Sequence, residues 1–416
     1  MSKKIANRST KNSEVHLFIL WEKARTHEKE ILQDIKEKFS IVRIYEVTWS
    51  KEAFSNNLSR FYGAKLPPNS NKEQHCGTGP FLAVIVEDTD PVYETHTTTK
   101  GDQHVNTKLF TSKALHREWT GGGHRVHGSN TVVEADQNLT LLFGKTGNQL
   151  LREVGSKRND TYVPLAKNLE GYDGWQSLEH LLTVLNSTTP YVVLRNFDSF
   201  PHDYYAKDHG DIDLLVADYA EARYLLNATP VFKADHRVHF SARIANDEVR
   251  FDIRSVGDGY YDTAWQQEIL ESRVLNAKGF YTPSPDNYVY SLLYHALVHK
   301  PAVAGDYAKK LFLAAKNIGL SLGGKEFDTA VASKALVSFL LDKGYIFTQP
   351  RDKSVYVNME TVQLGKAAGI RFSKNRMTPL RNHLKKAKSR FKHYRVKARR
   401  IINRNIRKIL SKDYGK

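Results

Sequence analysis

The sequence predicts a mixed α/β (α+β) protein: two α/β domains, a helical extension and a basic C-terminal helix. Three observations carry this reading. The chain has 416 residues, more than one core usually organises at about 100–200 residues per domain. Short apolar runs such as Val15–Leu20, Phe81–Val86 and Tyr191–Leu194 alternate with stretches of helical periodicity. The net charge of +17 is concentrated at one end. From Arg376 to Lys416 there are 16 Lys/Arg against one acid, Asp413, so this stretch carries +15 and the first 375 residues only +2.

Composition excludes several classes. Apolar residues are 40% and charged residues 26%, which is globular rather than disordered. A single cysteine, Cys76, rules out disulfide scaffolds, cysteine-based zinc sites and iron–sulfur clusters held within the chain. No apolar run approaches the ~20 residues that span a bilayer. Residues 1–13 are basic and polar, and the run after them ends at Glu22-Lys23-Ala24-Arg25, without the cleavage site of a signal peptide. A cytoplasmic, reducing location is expected.

Residues 1–13 are read as a flexible N-terminus and 14–147 as the first α/β domain. Val15–Leu20 reads as a buried strand. Glu22–Phe39 reads as a helix with Ala24, Ile31, Ile35 and Phe39 on one face. Ile41–Thr48 alternates like a strand, and Ser50 can cap a helix running to Phe61. Pro67–Gly79 reads as a loop, Phe81–Val86 as a third strand and Asn130–Phe143 as the last helix. Residues 148–167 are expected to be a linker.

A second α/β unit spans 168–275. Ser177–Leu185 places four leucines on one helical face. Tyr191–Leu194 and Asp211–Val216 read as strands, with a helix over Asp218–Asn227. Val238–Ile244 and Glu248–Ile253 read as antiparallel neighbours joined at Ala245-Asn246-Asp247. Residues 276–374 form a helical extension, with helices over Asn287–Lys300, Asp306–Lys316 and Ala330–Lys343 and a small hairpin over Tyr345–Val357. The tail, 375–416, reads as a basic amphipathic helix. From Leu384 its apolar positions run through Ala387, Phe391, Tyr394, Ala398 and Ile401 at alternating steps of three and four.

The most informative stretch is His209-Gly-Asp-Ile-Asp-Leu-Leu-Val216. Asp211 and Asp213 are two apart, so on a strand they share a face while Ile212 and Leu214 turn to the core. Adjacent carboxylates repel, and a divalent cation relieves them. Asp252, in Val249-Arg-Phe-Asp-Ile253, supplies a third carboxylate from another strand. Arg195 and Arg254 suit bidentate phosphate contacts, or serve as counter-charges to these acids.

This pattern resembles the polymerase-β-type nucleotidyltransferase superfamily, in which one strand carries Asp-x-Asp and a later strand a third Asp. Tyr191–Lys300 is similar to uncharacterised bacterial members of it. The likeness includes His239-Phe240, Trp265 and the helix Leu292-Leu-Tyr-His-Ala-Leu-Val-His299. It implies Asp211, Asp213 and Asp252 as catalytic ligands of Mg²⁺ or Mn²⁺, with His239, Arg195 and Arg254 toward the substrate. Leu194-Arg-Asn-Phe-Asp198 stands where the superfamily has a Gly-Gly or Gly-Ser turn that grips triphosphate. The fukutin-related phosphotransferases share this core and take a nucleotide-diphosphate donor, so donor type stays open.

Gly121-Gly-Gly-His-Arg-Val-His-Gly-Ser-Asn130 sets two histidines after a glycine run. Such backbone can approach an anion, and His can accept a phosphoryl group or move a proton. With Gly79-Pro-Phe-Leu-Ala-Val-Ile-Val-Glu87, this segment resembles nucleoside diphosphate kinase. That implies a ferredoxin-like domain, His127 in the phosphate-accepting place, and Arg117 and His124 beside the substrate. The departures are that Trp21-Glu-Lys-Ala24 replaces the family's first loop, His124 its Asn, and Asn138 its Glu. They count against kinase activity by the family's route.

The expected function is Mg²⁺-dependent transfer of a nucleotidyl or phospho-alcohol group in bacterial surface-polysaccharide assembly. The expected partners are a nucleotide or nucleotide-activated donor and a glycan or lipid-linked acceptor. Residues 380–410 are expected to bind an anionic membrane at its inner face, because an aliphatic stripe with flanking cations suits a bilayer surface. Nucleic acid is the lesser candidate for this tail. Two alternatives stay in view: modification of RNA or protein, and a non-catalytic binding module that retains the fold.

Overall fold

A computed structural model describes residues 13–98, 101–155, 157–158, 160–197, 200–201, 210–233 and 237–374. The tail over 375–416 lies outside the described residues.

The first unit contains β1 (Glu14–Leu20), α1 (Glu28–Lys38), β2 (Ser40–Thr48), α2 (Phe54–Phe61), α3 (Asn71–Cys76) and β3 (Phe81–Asp88). Then come the paired strands β4 (Tyr93–Thr98) and β5 (Gly101–Asn106), α4 (Thr107–Trp119), β6 (Val126–Gly128), α5 (Val132–Phe143), α6 (Gly147–Val154) and β7 (Tyr162–Ala166). Its sheet has the order β6-β1-β3-β2-β7. Neighbours are antiparallel except β7, which runs parallel to β2. Leaving β7 aside, β1-α1-β2-β3-α4-β6 is a split β-α-β arrangement.

The central strand β3 is buried at every position because both sheet faces are covered, and its sequence is apolar from Phe81 to Val86, ending in the buried charges Glu87 and Asp88. On one face Phe18, Leu20, Val84 and Val86 pack with Ile31 and Ile35 of α1 and Leu109 of α4. On the other, Leu17, Ile19, Ala83 and Ile85 enter a core that continues through Leu139 and Leu181 into the second sheet.

Several expectations for this unit are corrected. Residues 148–167 are no linker. Thr146 and Gln149 form a capping box at the start of α6, which buries Leu150 and Val154. β7 then extends the first sheet, and Pro164 is tolerated because β7 is an edge strand. The loop Pro67–Gly79 holds α3, capped by Ser70. The sequence reading missed α4, whose buried positions include Ser112, Lys113 and His116, so no apolar stripe announces it.

The second unit contains α7 (Leu178–Thr188), β8 (Tyr191–Val193), β9 (Ile212–Val216), α8 (Tyr219–Leu225), β10 (Thr229–Pro230), β11 (His239–Ile244) and β12 (Asp247–Ser255). Ser177 caps α7 and Asp218 caps α8, each accepting a hydrogen bond from an N–H in the first turn. The sheet order is β10-β11-β12-β9-β8, with only β12 and β9 parallel. Arg60 of α2 ties the two units together. It is fully buried and donates to the carbonyls of Glu170 at 2.6 Å and Tyr224 at 3.1 Å. Burial lowers its pKa to about 9, so it remains charged at neutral pH.

The extension holds α9 (Thr263–Glu271), the short pair β13 (Val274–Leu275) and β14 (Tyr281–Thr282), α10 (Pro285–Val298), α11 (Gly305–Asn317), α12 (Thr329–Lys343), β15 (Phe347–Thr348) and α13 (Met359–Ala367). The expected hairpin within Tyr345–Val357 is replaced by a longer-range contact, in which the Phe347 N–H donates to the Arg371 carbonyl at 3.0 Å. These helices cover the second face of the second sheet, where Val192, Leu194 and Leu215 meet Trp265, Leu292, Tyr294 and Leu336. Asp213 precedes Leu215 by two residues and therefore points into the same seam.

Candidate functional site

Register builds the site. β12 lies parallel to β9 with Asp252 beside Asp213, and antiparallel to β11 with His239 beside Asp252. Side-by-side residues in neighbouring strands share a face, so His239, Asp252 and Asp213 form one row across three strands. Asp211 stands just ahead of β9.

Within this row the side chains divide into two groups. Asp211, His239 and Asp252 each offer a ligand atom, and these atoms all lie within 4.8 Å of one another. His239 Nε2 is 3.4 Å from Asp252 Oδ1, a buried oxygen with no hydrogen-bond partner. Burial, followed by the Asp252 charge, raises the Asp211 carboxyl above its usual range. Asp213, expected beside them as a third carboxylate, is instead engaged by Arg195, whose Nη2 donates to its Oδ1. The two are 8% and 6% exposed. Burial opposes charge on Arg195 most strongly, but Asp213 together with Tyr260, Tyr261 and Tyr307 more than offsets it, and the guanidinium is held protonated.

Arg254 sits between the two groups. Its Nη2 lies 3.3 Å from Asp252 Oδ2, and its guanidinium lies 4.2 Å from the centre of the Tyr260 ring. Its Nε is buried without a partner. Tyr260 is supported in turn by the extension: its hydroxyl is 2.7 Å from His295 Nδ1, and its carbonyl is 2.8 Å from His299 Nε2. Burial lowers His299 to about 3, so it is a neutral donor to that carbonyl.

Two carboxylates and an imidazole around an unpartnered oxygen fit a divalent cation. Mg²⁺ takes oxygen ligands, whereas imidazole suits first-row transition ions, so this donor set favours Mn²⁺ over Mg²⁺.

The first unit treats its histidines differently. His127 lies on β6 opposite Ile19 and is 6% exposed, not at a pocket mouth as the glycine run suggested. Its Nε2 donates to Asn138 Oδ1 at 2.7 Å, and its ring meets Phe61 and Tyr62 edge-on. Arg117 donates from Nε to the Val126 carbonyl at 2.7 Å, and Arg125 caps the Thr120 carbonyl. The His124 ring is 5.6 Å from that of His75. Burial first, then Lys72, Arg117 and His75, lower His124 to about 4. His127, Arg117 and His124 take no part in the Asp211 cluster.

Burial depresses the His127 pKa to about 4, below its unfolded value near 6.5. Its stabilising share is therefore present above pH 6.5 and lost as pH falls toward 4. This histidine is expected to cost the fold about 2 kcal/mol between pH 7 and pH 5. Urea melts at the two pH values check this, and His127→Gln should flatten the dependence. An unchanged slope in that variant would show that His127 does not titrate as a buried neutral group.

Sequence reasoning missed Asp352, Arg237 and Tyr260. Asp352 is 1% exposed, and its Oδ2 lies 3.4 Å from Arg237 Nε and 3.8 Å from His239 Nδ1. Nothing in Pro350-Arg-Asp-Lys353 marks it out. The histidines at 295 and 299 appeared in the sequence only within the stretch carrying the resemblance; a spacing of four sets His295 on the last turn of α10 and His299 at its C-cap.

No family model matches the chain, and no curated protein matches it. Among solved structures, the nucleoside diphosphate kinase of Aquifex aeolicus aligns at 16% identity over 33% of this chain and 99% of that one, with a TM-score of 0.23. At that score the match adds nothing to the strand order already described.

Proposed function

We propose that this chain is a divalent-cation-dependent transferase of a nucleotidyl or phospho-alcohol group, of the polymerase-β-type nucleotidyltransferase kind its second unit resembles. One observation carries the reading: register sets His239 beside Asp252, and with Asp211 ahead of β9 they bring three ligand atoms within 4.8 Å of one another, next to an Asp252 oxygen that is buried without a hydrogen bond. Asp211, Asp252 and His239 Nε2 would hold a Mn²⁺ or Mg²⁺, whose charge would help activate an attacking oxygen and neutralise a leaving phosphate. Arg254, over the Tyr260 ring and with a buried Nε that makes no hydrogen bond, would supply a guanidinium to a donor phosphate. Arg195 and Asp213 brace the start of β9 as an ion pair.

The donor is a nucleotide or a nucleotide-activated alcohol. The acceptor is a glycan or lipid-linked glycan, a choice that rests on the basic, aliphatic tail. Among the described residues no helix is long and apolar enough to cross a membrane. The tail over residues 380–410 lies outside them, and its membrane role is proposed from its sequence alone.

Purified protein with Mn²⁺ and a mixture of soluble glycan acceptors, followed by ³¹P NMR against nucleoside triphosphates and nucleotide-diphosphate alcohols, tests the activity. Cation-dependent release of pyrophosphate or nucleoside monophosphate is expected, and it should stop in Asp252→Asn. Donors that stay intact across both sets would sink the reading. For the tail, changing Ile401, Ile402 and Ile409 to Ser should abolish binding to anionic liposomes. Binding that persists in this variant, or that transfers to RNA with a steep salt slope, would count for nucleic acid instead.

A further inference from the structure

The geometry points to a cleft beside the Asp211 cluster that binds a neutral saccharide, an acceptor subsite whose role rests on the transferase reading above. β11 sends Phe240, Ala242 and Ile244 into the core, so His239, Ser241 and Arg243 lie on its opposite face. In the β11–β12 pairing Asp252 lies beside His239, Arg250 beside Ser241 and Glu248 beside Arg243. The cluster is therefore one end of a polar row that continues along the sheet. Ser241, two residues on from His239, lies about 7 Å farther along the strand. There the row enters a cleft of about 430 Å³, lined by Ser241, Arg243 and Glu248 and also by Asn56, Tyr172 and Asp173.

The walls of this cleft are fixed by contacts within the chain. The Trp175 N–H donates to the Arg243 carbonyl at 2.8 Å, and its indole N–H donates to the Leu226 carbonyl at 2.8 Å. Asn227 Nδ2 donates to the carbonyls of Gly171 and Tyr172, at 2.9 Å and 3.1 Å. Gly174 has a φ of +99°, and a Cβ there would meet Arg243 Nε at 2.7 Å. Glycine at this place lets the Arg243 side chain pass and donate to the Asp173 carbonyl. A preformed polar cleft of this size falls in the range of small-molecule sites.

Charge and hydrogen-bonding sense decide the ligand class. Among the described residues that line the cleft Arg243 is the one cation, set against Asp173 and Glu248. A phosphate or carboxylate would meet net repulsion there, whereas a neutral polyol would not. Its hydroxyls can donate to the two carboxylates and accept from the Asn56 amide. The Asn56 amide and the Asp173 carboxylate make no hydrogen bond among the described residues, and Glu248 accepts from the Ser241 hydroxyl. The Tyr172 ring offers an apolar surface for the C–H face of a sugar. A disaccharide seated in the cleft reaches past Ser241 toward the cluster, where a transferase needs the attacking hydroxyl.

The test uses the full chain with maltose, cellobiose and N,N′-diacetylchitobiose, read by saturation-transfer-difference NMR without added metal. At least one of these disaccharides should receive saturation. Asn56→Trp, at an exposed position of α2, narrows the cleft and should reduce the transfer to that of an unbound control. Glu248→Gln removes a charged acceptor and should weaken binding about fivefold. Mn²⁺ added to the wild type should broaden the lines of the bound disaccharide beyond the effect of the free ion, because the cluster begins about one pleat from the cleft. Absence of saturation transfer to all three disaccharides would overturn the inference. So would transfer that is unchanged in a folded Asn56→Trp protein, or displacement of the disaccharide by a nucleoside monophosphate, which would give the cleft to the donor. Transfer that is lost in Asn56→Trp but gains no Mn²⁺ broadening in the wild type would uphold the cleft and count against the cation reading.

Discussion

Asp211→Asn is expected to cost about 100-fold or more in Mn²⁺ affinity while leaving the fold as stable as before, or more so. The two effects have one cause. Burial and the nearby Asp252 carboxylate push the Asp211 pKa up, so its charge is tolerated rather than favoured in the cation-free protein. The isosteric amide removes that repulsion and, with it, an anionic ligand. Outer-shell partners alone alter affinity by about 10–100-fold, so a direct ligand belongs at or above the upper end. Mn²⁺ titration and thermal melts of the same variant check both arms. Affinity that survives the substitution would remove Asp211 from the site. A large loss of stability would mean that its carboxylate is structural.

The second large effect falls on Arg195 and Asp213. Both are buried, and each is the other's main counter-charge. Arg195→Met strands a carboxylate in the seam between sheet and helices, and removing one partner of a buried pair costs about 3–5 kcal/mol. Replacing both, as Arg195→Met with Asp213→Leu, should restore most of that stability, because well-packed apolar residues often substitute for a buried pair without loss. The same double variant discriminates the roles. If Asp213 only braces β9, Mn²⁺ affinity in the double variant stays within about threefold of wild type. If it drops as far as in Asp211→Asn, Asp213 is a ligand after all and the ion pair is a resting arrangement. Urea denaturation and the Mn²⁺ titration together give the answer.

The two substitutions separate what a shared strand face can and cannot say. The Asp-x-Asp spacing predicts Asp211 and Asp213 on one side of a strand; in the structure β9 begins at Ile212, so Asp213 lies on it and Asp211 stands just ahead of it. The structure then gives them different partners, because Asp213 lies one pleat deeper and meets Arg195 from the segment after β8. His239 joined the carboxylates through β11–β12 pairing, where it sits directly across from Asp252. Its strand was legible, but its pairing register was not.

Local elements were determined by the sequence itself wherever the signal was local. The leucines of α7, the apolar run of β3 and the β11–β12 turn all depend on neighbours a few residues apart, and periodicity records such neighbours directly, whereas the cap expected at Ser50 does not form, since α2 begins after Ala53 with no side-chain cap. The 147–166 segment and α4 escaped because edge position and polar burial leave no periodic trace. Tertiary structure alone decided strand order, the core shared by the two sheets, and the delivery of Asp352 to His239 from the helical extension. Those depend on contacts between distant segments, where burial and hydrogen-bond geometry are selected jointly. A lone Asp in a polar loop carries no mark of the carboxylates and histidine it will meet.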